Sequence, residues 1–239
     1  MKNGKAIVLA AGQGKRMGSA MPKQFLEIQG KPLLCYALEC FDASPLISEI
    51  VLVTGEENRA YCQKEIVEAY GFSKIKKIVA GGKERYDSVY EGLKACENCD
   101  IVFIHDGARP FPDLEMLERT MEAAQQYGAC VAAVPSKDTM KLGNADGFVE
   151  KTLDRSVLWN IQTPQVFDYA MICEAHRRLR EGSMEGITDD AMMVEILGLS
   201  PVKLVMGSYD NIKVTTPEDL VIAENIIKRR SERAQNNRK

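Results

Sequence analysis

Residues 6–18 read AIVLAAGQGKRMG. Five apolar residues, Ala6-Ile7-Val8-Leu9-Ala10, run without polar interruption into Gly12, Gln13, Gly14, Lys15 and Arg16, with Gly18 and Lys23 close behind. A short apolar run bounded by glycines reads as a buried strand ending in a loop. The glycines let the backbone approach an anion while its N–H groups point inward. Lys15, Arg16 and Lys23 add charge suited to more than one phosphate group. Gly12, Gly14 and Gly18 are spaced G-x-G-x-x-x-G, one residue longer than the dinucleotide fingerprint, and no window fits the kinase-type P-loop G-x-x-x-x-G-K-[ST]. An ordinary strand-to-helix turn with solvated cations is the plainer reading of the same residues.

Working outward, apolar β-branched runs recur at residues 49–54, 75–80, 100–105, 129–135 and 202–206. Stretches of helical period lie among them at 33–41, 59–70, 87–96, 114–127 and 189–197. This alternation predicts an α/β fold, a doubly wound and mostly parallel sheet, in one nucleotide-binding domain over residues 1–239. Ligands of such sheets bind beyond the carboxyl ends of the strands, where the first loop sits. Residues 137–158 break the rhythm. Short runs at 139–142 and 148–153 flank the turn-rich Gly143-Asn144-Ala145-Asp146-Gly147, which reads as a hairpin. A lone hairpin is marginal, so it leans on a second subunit or packs as an edge excursion of its own domain. Thr216-Pro217-Glu218-Asp219 announces a last helix that decays into KRRSERAQNNRK, read as a frayed, solvated end or, less simply, as a nucleic-acid contact.

Bulk composition narrows the function. The 239 residues are 45% hydrophobic, enough for a sizeable core, and the net charge of −3 argues against a general nucleic-acid or membrane-surface binder. No apolar run approaches the ~18 residues of a membrane span, and the apolar part of MKNGKAIVLAAG is too short and glycine-rich for a signal peptide. The seven cysteines are odd in number and form no framework. These features point to the reducing cytoplasm. Cys96 and Cys99 have zinc spacing, but no second pair of ligands accompanies them in the sequence.

In IVFIHDGARPF, Asp106 stands at the carboxyl edge of a buried strand, placed to hold Mg²⁺ or, more plainly, to cap a turn before Pro110. Strand alternation turns His105 to the opposite face, as a packed histidine. The other histidine, His176, lies in the polar helical stretch CEAHRRLRE, so chemistry relying on a neutral-pH base has little to recruit. Nucleotidyl transfer onto a phosphate monoester needs none, because the second pKa of such a phosphate is about 6. Three further constellations suit that chemistry. GGKERYDSV offers Ser88 to a base or ribose, or as a helix cap; DRSVLWNIQTPQVF holds Arg155 and Thr163; GSYDNIKVTTPEDL places Lys213 in a short strand.

LAAGQGKRMGSAMPKQF, IHDGARPF, LDRSVLWNIQTPQVF, TDDA and DNIKVTTPEDL, in this order from residue 6 to about 225, resemble the 2-C-methyl-D-erythritol 4-phosphate cytidylyltransferase family. The resemblance implies that CTP and 2-C-methyl-D-erythritol 4-phosphate give the CDP derivative and pyrophosphate with Mg²⁺, in isoprenoid biosynthesis. By motif, Ala10, Ala11, Gly12 and Gly14 would wrap the nucleotide, and Gly82 and Ser88 would recognise cytosine and ribose. Arg16 and Lys23 would neutralise the triphosphate, Lys23 would stabilise the pentavalent phosphorus, and Asp106 would bind the metal. Arg155, Thr163, Thr188 and Lys213 would grip the acceptor, with Arg109 near that pocket. The hairpin would be an arm of a homodimer, with Arg155 reaching the partner's site. Gly107 stands where many members carry alanine, which would loosen the loop. Three alternatives are a ribitol 5-phosphate cytidylyltransferase, a short-chain NAD(P) oxidoreductase using Tyr90 and Lys94, and a catalytically silent nucleotide-binding module.

Overall fold

A computed structural model describes residues 3–12, 22–182 and 184–236. The chain opens with strand β1 (Gly4–Ala10), a two-stranded ribbon of β2 (Glu27–Ile28) and β3 (Lys31–Pro32), helix α1 (Leu33–Ala43) and strand β4 (Ile47–Thr54). Helix α2 (Arg59–Tyr61) widens into π-helical turns over Cys62–Glu68 and leads to β5 (Ile75–Ala80), α3 (Arg85–Ala95) and β6 (Ile101–Asp106). Then come α4 (Leu114–Tyr127), β7 (Ala129–Pro135), the hairpin β8 (Lys141–Gly143) and β9 (Val149–Thr152), and β10 (Trp159–Asp168). Helices α5 (Tyr169–Arg180) and α6 (Asp190–Ile196), strand β11 (Lys203–Met206) and helix α7 (Pro217–Asn236) complete it.

Among the described residues, seven strands form the central sheet in the order β11-β7-β10-β6-β1-β4-β5. All neighbours are parallel except β10, which runs antiparallel to both β6 and β7. The sheet is thus doubly wound and mostly parallel, as the alternation of runs implies. From β1 the chain winds outward to β4 and β5, then returns to place β6 on the other side of β1. That reversal creates the crevice where such sheets bind ligands.

The two-residue period of the strands decides what each face carries. Along β6, Ile101 and Phe103 pack with Leu34, Leu38 and Phe41 of α1 and Leu117 and Met121 of α4. Val102 and Ile104 pack on the opposite face with Val89 and Leu93 of α3 and Ala175 of α5. Both faces are covered, which is why these strands read as continuous apolar runs.

Three expectations need correction. Lys213 lies in no strand: Val214 N–H donates to Ala108 O and Asn211 N–H to Ser208 O, so the segment is tied to loops one bond at a time instead of by a ladder. The basic stretch after Asn225 is no frayed end over its first part, because α7 continues through it. Arg229 pairs with Asp210 at 2.7 Å, and Arg230 lies 5.2 Å over the Phe111 ring while donating to Phe111 O. Third, the stretch containing Trp159 and Phe167 is the ten-residue strand β10, absent from the sequence-based strand set.

Candidate active site

A cleft opens at the carboxyl ends of β1 and β6. Leu9 of β1 and Ala11 and Gly12 just after it line the cleft, with Gly82, Lys83 and Glu84 from the β5–α3 connection, Arg85 and Ser88 from the start of α3, and Asp106 and Ala108 from the end of β6. Lys23, Gln24 and Lys213 complete the lining.

The β5–α3 connection is shaped by small residues. A side chain on Gly81 would bring its Cβ within 2.6 Å of Ser88 Oγ and Ala11 Cβ, and one on Gly82 would collide with Asp87. Helix α3 starts with a capping box, Glu84 and Asp87 each accepting from the other's backbone N–H. Ser88 Oγ accepts from Gly82 N–H and donates to Glu84 O, both at 3.2 Å, which fixes the loop around it. Gly107 also fills a close approach: its N–H donates to Leu9 O at 2.8 Å, and a Cβ there would lie 2.8 Å from that oxygen. A Cβ there would also lie 2.8 Å from Leu34 Cδ1, so the glycine permits this close approach to β1 and α1.

Strand alternation separates the two neighbours at the end of β6. His105 continues the α1 face, fully buried, with its ring 5.1 Å from Phe41. Its Nε2 lies 2.9 Å from Arg109 O; a carbonyl only accepts, so Nε2 carries the proton and Nδ1 accepts from the Thr163 hydroxyl at 3.1 Å. Burial pushes His105 down to about 4, leaving the ring neutral at pH 7. Asp106 turns to the α3 face, where Arg85 Nε donates to Oδ1 at 3.1 Å and Lys213 Nζ to Oδ2 at 2.7 Å. Burial alone would push the Asp106 carboxyl up. The Arg85 and Lys213 cations outweigh it and hold the group well below the usual carboxylate range.

The structure brings Ala11, Gly12, Lys23, Gly82, Ser88, Asp106 and Lys213 to one cleft. Lys23 Nζ donates to Val214 O at 2.9 Å, next to Lys213 in sequence. Ala10 lies beneath the cleft: its side chain is buried in the core and its carbonyl accepts from Gln24 Nε2. Gly14 and Arg16 fall outside the described residues.

Of the expected acceptor residues, Lys213 lines the cleft, whereas Thr163, Arg109, Thr188 and Arg155 lie outside its lining. Thr163 is buried, its hydroxyl accepting from the Asp106 N–H at 3.0 Å while donating to His105, so it sets the end of β6. Arg109 spans two segments, donating to Asn211 O and Ile161 O, while its buried Nε has no hydrogen-bond partner among the described residues. Thr188 is exposed, its hydroxyl 3.5 Å from Met192 Sδ. Arg155 stands at the foot of the hairpin, donating to Lys137 O and lining a separate depression with Ser136, Thr152 and Asp154.

Arg85 and Asp190 were not singled out from the sequence, although the structure joins them to Asp106. The available signal was local: Arg85 begins α3, where a cation opposes the helix dipole and needs an acidic partner. Tyr90 and Lys94, the pair an oxidoreductase would use, lie outside the cleft lining: Tyr90 stacks with Arg180 and His176 of α5, and Lys94 pairs with Glu91.

Comparison with known proteins agrees with this geometry. Residues 5–229 match the family model of 2-C-methyl-D-erythritol 4-phosphate cytidylyltransferase. Relatives of that name from Clostridium kluyveri and Clostridium acetobutylicum are 50% and 49% identical, each aligned over 95% of this chain and 98% of the relative. The crystal structure of 4-diphosphocytidyl-2C-methyl-D-erythritol synthase from Anaerococcus prevotii superposes with a TM-score of 0.84 at 34% identity, covering 95% of this chain and 99% of that one. The cytidylyltransferase structure from Thermus thermophilus gives 0.74 at 30% identity, covering 95% and 100%. Matched by that family model over most of its length and half identical to relatives of that name, this chain belongs to the 2-C-methyl-D-erythritol 4-phosphate cytidylyltransferases.

Proposed function

We infer that the cleft transfers the cytidylyl group of CTP to 2-C-methyl-D-erythritol 4-phosphate, a step of isoprenoid precursor biosynthesis. An oxygen of the acceptor phosphate attacks the α-phosphorus of CTP, the bond to the bridging β-phosphate oxygen breaks, and pyrophosphate leaves with the electron pair. The products are 4-diphosphocytidyl-2-C-methyl-D-erythritol and pyrophosphate. With a second pKa of about 6, the acceptor phosphate is largely a dianion at neutral pH and needs no protein base. Catalysis is then positioning and charge neutralisation.

The observation that carries this reading is the set of lysines, Lys23 and Lys213, at the switch-point cleft beside Asp106. Lys23 and Arg16 neutralise the triphosphate, and Lys23 stabilises the charge that grows on the α-phosphoryl group. Gly12, Gly14, Ala10 and Ala11 wrap the nucleotide, and Gly82 and Ser88 hold its base and ribose. Lys213, Thr163, Thr188 and Arg109 position the acceptor. An ionised carboxylate lining a phosphate cleft suits a hard divalent cation, which takes one or two carboxylates plus substrate phosphate oxygens. Asp106 would hold Mg²⁺ together with the triphosphate, and the bound ion supplies charge neutralisation.

Arg155 and the hairpin extend the reading to a homodimer. Both strands of the hairpin are exposed along their whole length, and Arg155 lies at a depression apart from the main cleft. In a dimer the arm embraces a second copy and Arg155 serves that copy's acceptor pocket. All seven cysteines are free thiols, in keeping with a reducing cytoplasm.

The test is pyrophosphate release by the purified chain with CTP and Mg²⁺, with 2-C-methyl-D-erythritol 4-phosphate beside ribitol 5-phosphate. Release that depends on the methylerythritol phosphate is expected. A preference for ribitol phosphate would replace the acceptor, and CTP binding without release from either would leave a silent nucleotide module.

A further inference from the structure

Arg85 divides its guanidinium between two aspartates from different elements. Nε donates to Asp106 Oδ1 at 3.1 Å and Nη1 to Asp190 Oδ2 at 2.7 Å. Asp190 is fully buried at the start of α6. Among the described residues its other oxygen has no hydrogen-bond partner; it lies 3.6 Å from His176 Nε2. A buried ion pair of this kind is a weak source of stability, since well-packed apolar residues often serve as well or better. Nor does Asp106 need Arg85 for charge alone, because Lys213 already pairs with its Oδ2. What a planar fork adds is direction: the Nε and Nη1 bonds fix the guanidinium plane, and with it the Asp106 carboxylate.

The far end of this link is itself held. Gln165 Oε1, from β10, accepts from the N–H groups of Asp190 and Ala191 at 3.1 Å each, and Gln165 Nε2 donates to Asp189 Oδ2 at 2.7 Å. The start of α6 is therefore pinned to the central sheet, and Arg85 is strung between that point and the end of β6. At one end it opens α3, whose first turn carries Ser88 and follows Gly82. At the other it grips the turn that follows Thr188.

Resting on the function inferred above, we propose that Arg85, anchored by Asp190, is a positioning residue for cytidylyl transfer. It aims the Asp106 carboxylate and locks the nucleotide-side connection to the acceptor-side turn, so that the acceptor oxygen and α-phosphorus are held in line.

The experiment compares the parent with Arg85→Lys, Asp190→Asn and the double variant. It reads kcat by pyrophosphate release and CTP affinity by calorimetry in Mg²⁺. Lysine keeps the charge but loses the fork, so kcat of Arg85→Lys should fall roughly 10- to 100-fold. CTP affinity should change by less than about threefold, since the link is used in alignment more than in binding. Asp190→Asn should lower kcat in the same direction, and the double variant should be no worse than Arg85→Lys, because both changes cut one link. A folded Arg85→Lys within about twofold of parental kcat, or with equal losses in kcat and CTP affinity, would overturn the proposal. Losses that multiply in the double variant would overturn it too. If Arg85→Lys does not fold, Asp190→Asn decides by the same twofold criterion, about the limit of a meaningful kinetic difference. An inactive parent would overturn the inferred function and this proposal together; an active parent with unchanged variants would overturn this proposal alone.

Discussion

Phe103 in β6 and Phe148 beside β9 are the same side chain in opposite circumstances. Phe103 is wholly buried, with its ring 6.4 Å from that of Phe41. Phe148 is 71% exposed, with Val149 at 62% and Leu142 at 49% nearby. Strand β6 finds neighbours on both edges and helices on both faces within one chain, so its burial repays the ordering of its backbone. The hairpin pairs only with itself, as a separate two-stranded sheet. The first region is a finished wall that holds Asp106; the second is an exposed apolar surface, which the proposed homodimer would cover.

This contrast is open to measurement. Truncating the wall with Phe103→Ala should cost about 3–5 kcal/mol in denaturant unfolding, and a cost below about 1 kcal/mol would mean that β6 is not part of a close-packed core. Next in size, Lys23→Ala should lower kcat by about 100-fold or more, roughly 3 kcal/mol, while CTP affinity falls far less. Equal losses would make Lys23 a binding residue only. Acid should also weaken the wall. His105 is held down to about 4 by burial but titrates near 6.5 when unfolded, so the unfolded chain takes up a proton first as pH falls. Its stabilising contribution is complete above about pH 6.5 and is lost on descending to about 4, amounting to about 2 kcal/mol between pH 7 and pH 5. His105→Gln should flatten that slope, and an unchanged slope would assign it to other groups. The smallest stability effect belongs to the arm. Phe148→Ser should move the unfolding free energy of the monomer by no more than about 0.5 kcal/mol, yet shift sedimentation toward the monomer. A loss of stability with no change in mass would place Phe148 against its own chain.

The same contrast explains what the sequence could disclose. Residues 129–135 and 114–127 coincide with β7 and α4, because one is a continuous apolar run and the other an amphipathic repeat, each stating its own burial. Strand β10 escaped because WNIQTPQVF is polar along much of its length and carries Pro164, which ordinarily demotes a strand. Its polar side chains are spent in tertiary bonds: Gln162 with Ser208, Thr163 with Asp106 and His105, Gln165 with Asp189 and Asp190. The ladder with β7 shifts register between Ile161 and Gln165, which accommodates the proline. In the cleft, Gly12, Lys23, Gly82, Ser88, Asp106 and Lys213 stand in motifs that locate them. Arg85 shares a motif with Gly82 and Ser88, but its role does not show there, since its partners lie 21 and 105 residues away and only the folded chain shows them together.

Strand β10 also sets the order in which the molecule is completed. A chain made from its N-terminus has β1, β4, β5 and β6 in hand well before β10 exists, and until then β6 is an open edge with unpaired backbone groups. Asp106 waits longer still, since Lys213 and then α7, whose Arg229 holds Asp210, emerge after β10. A ribosome-bound chain thus carries a half-built sheet whose reactive end is assembled after the sheet itself, so nucleotide chemistry begins only once the residues through α7 have been made.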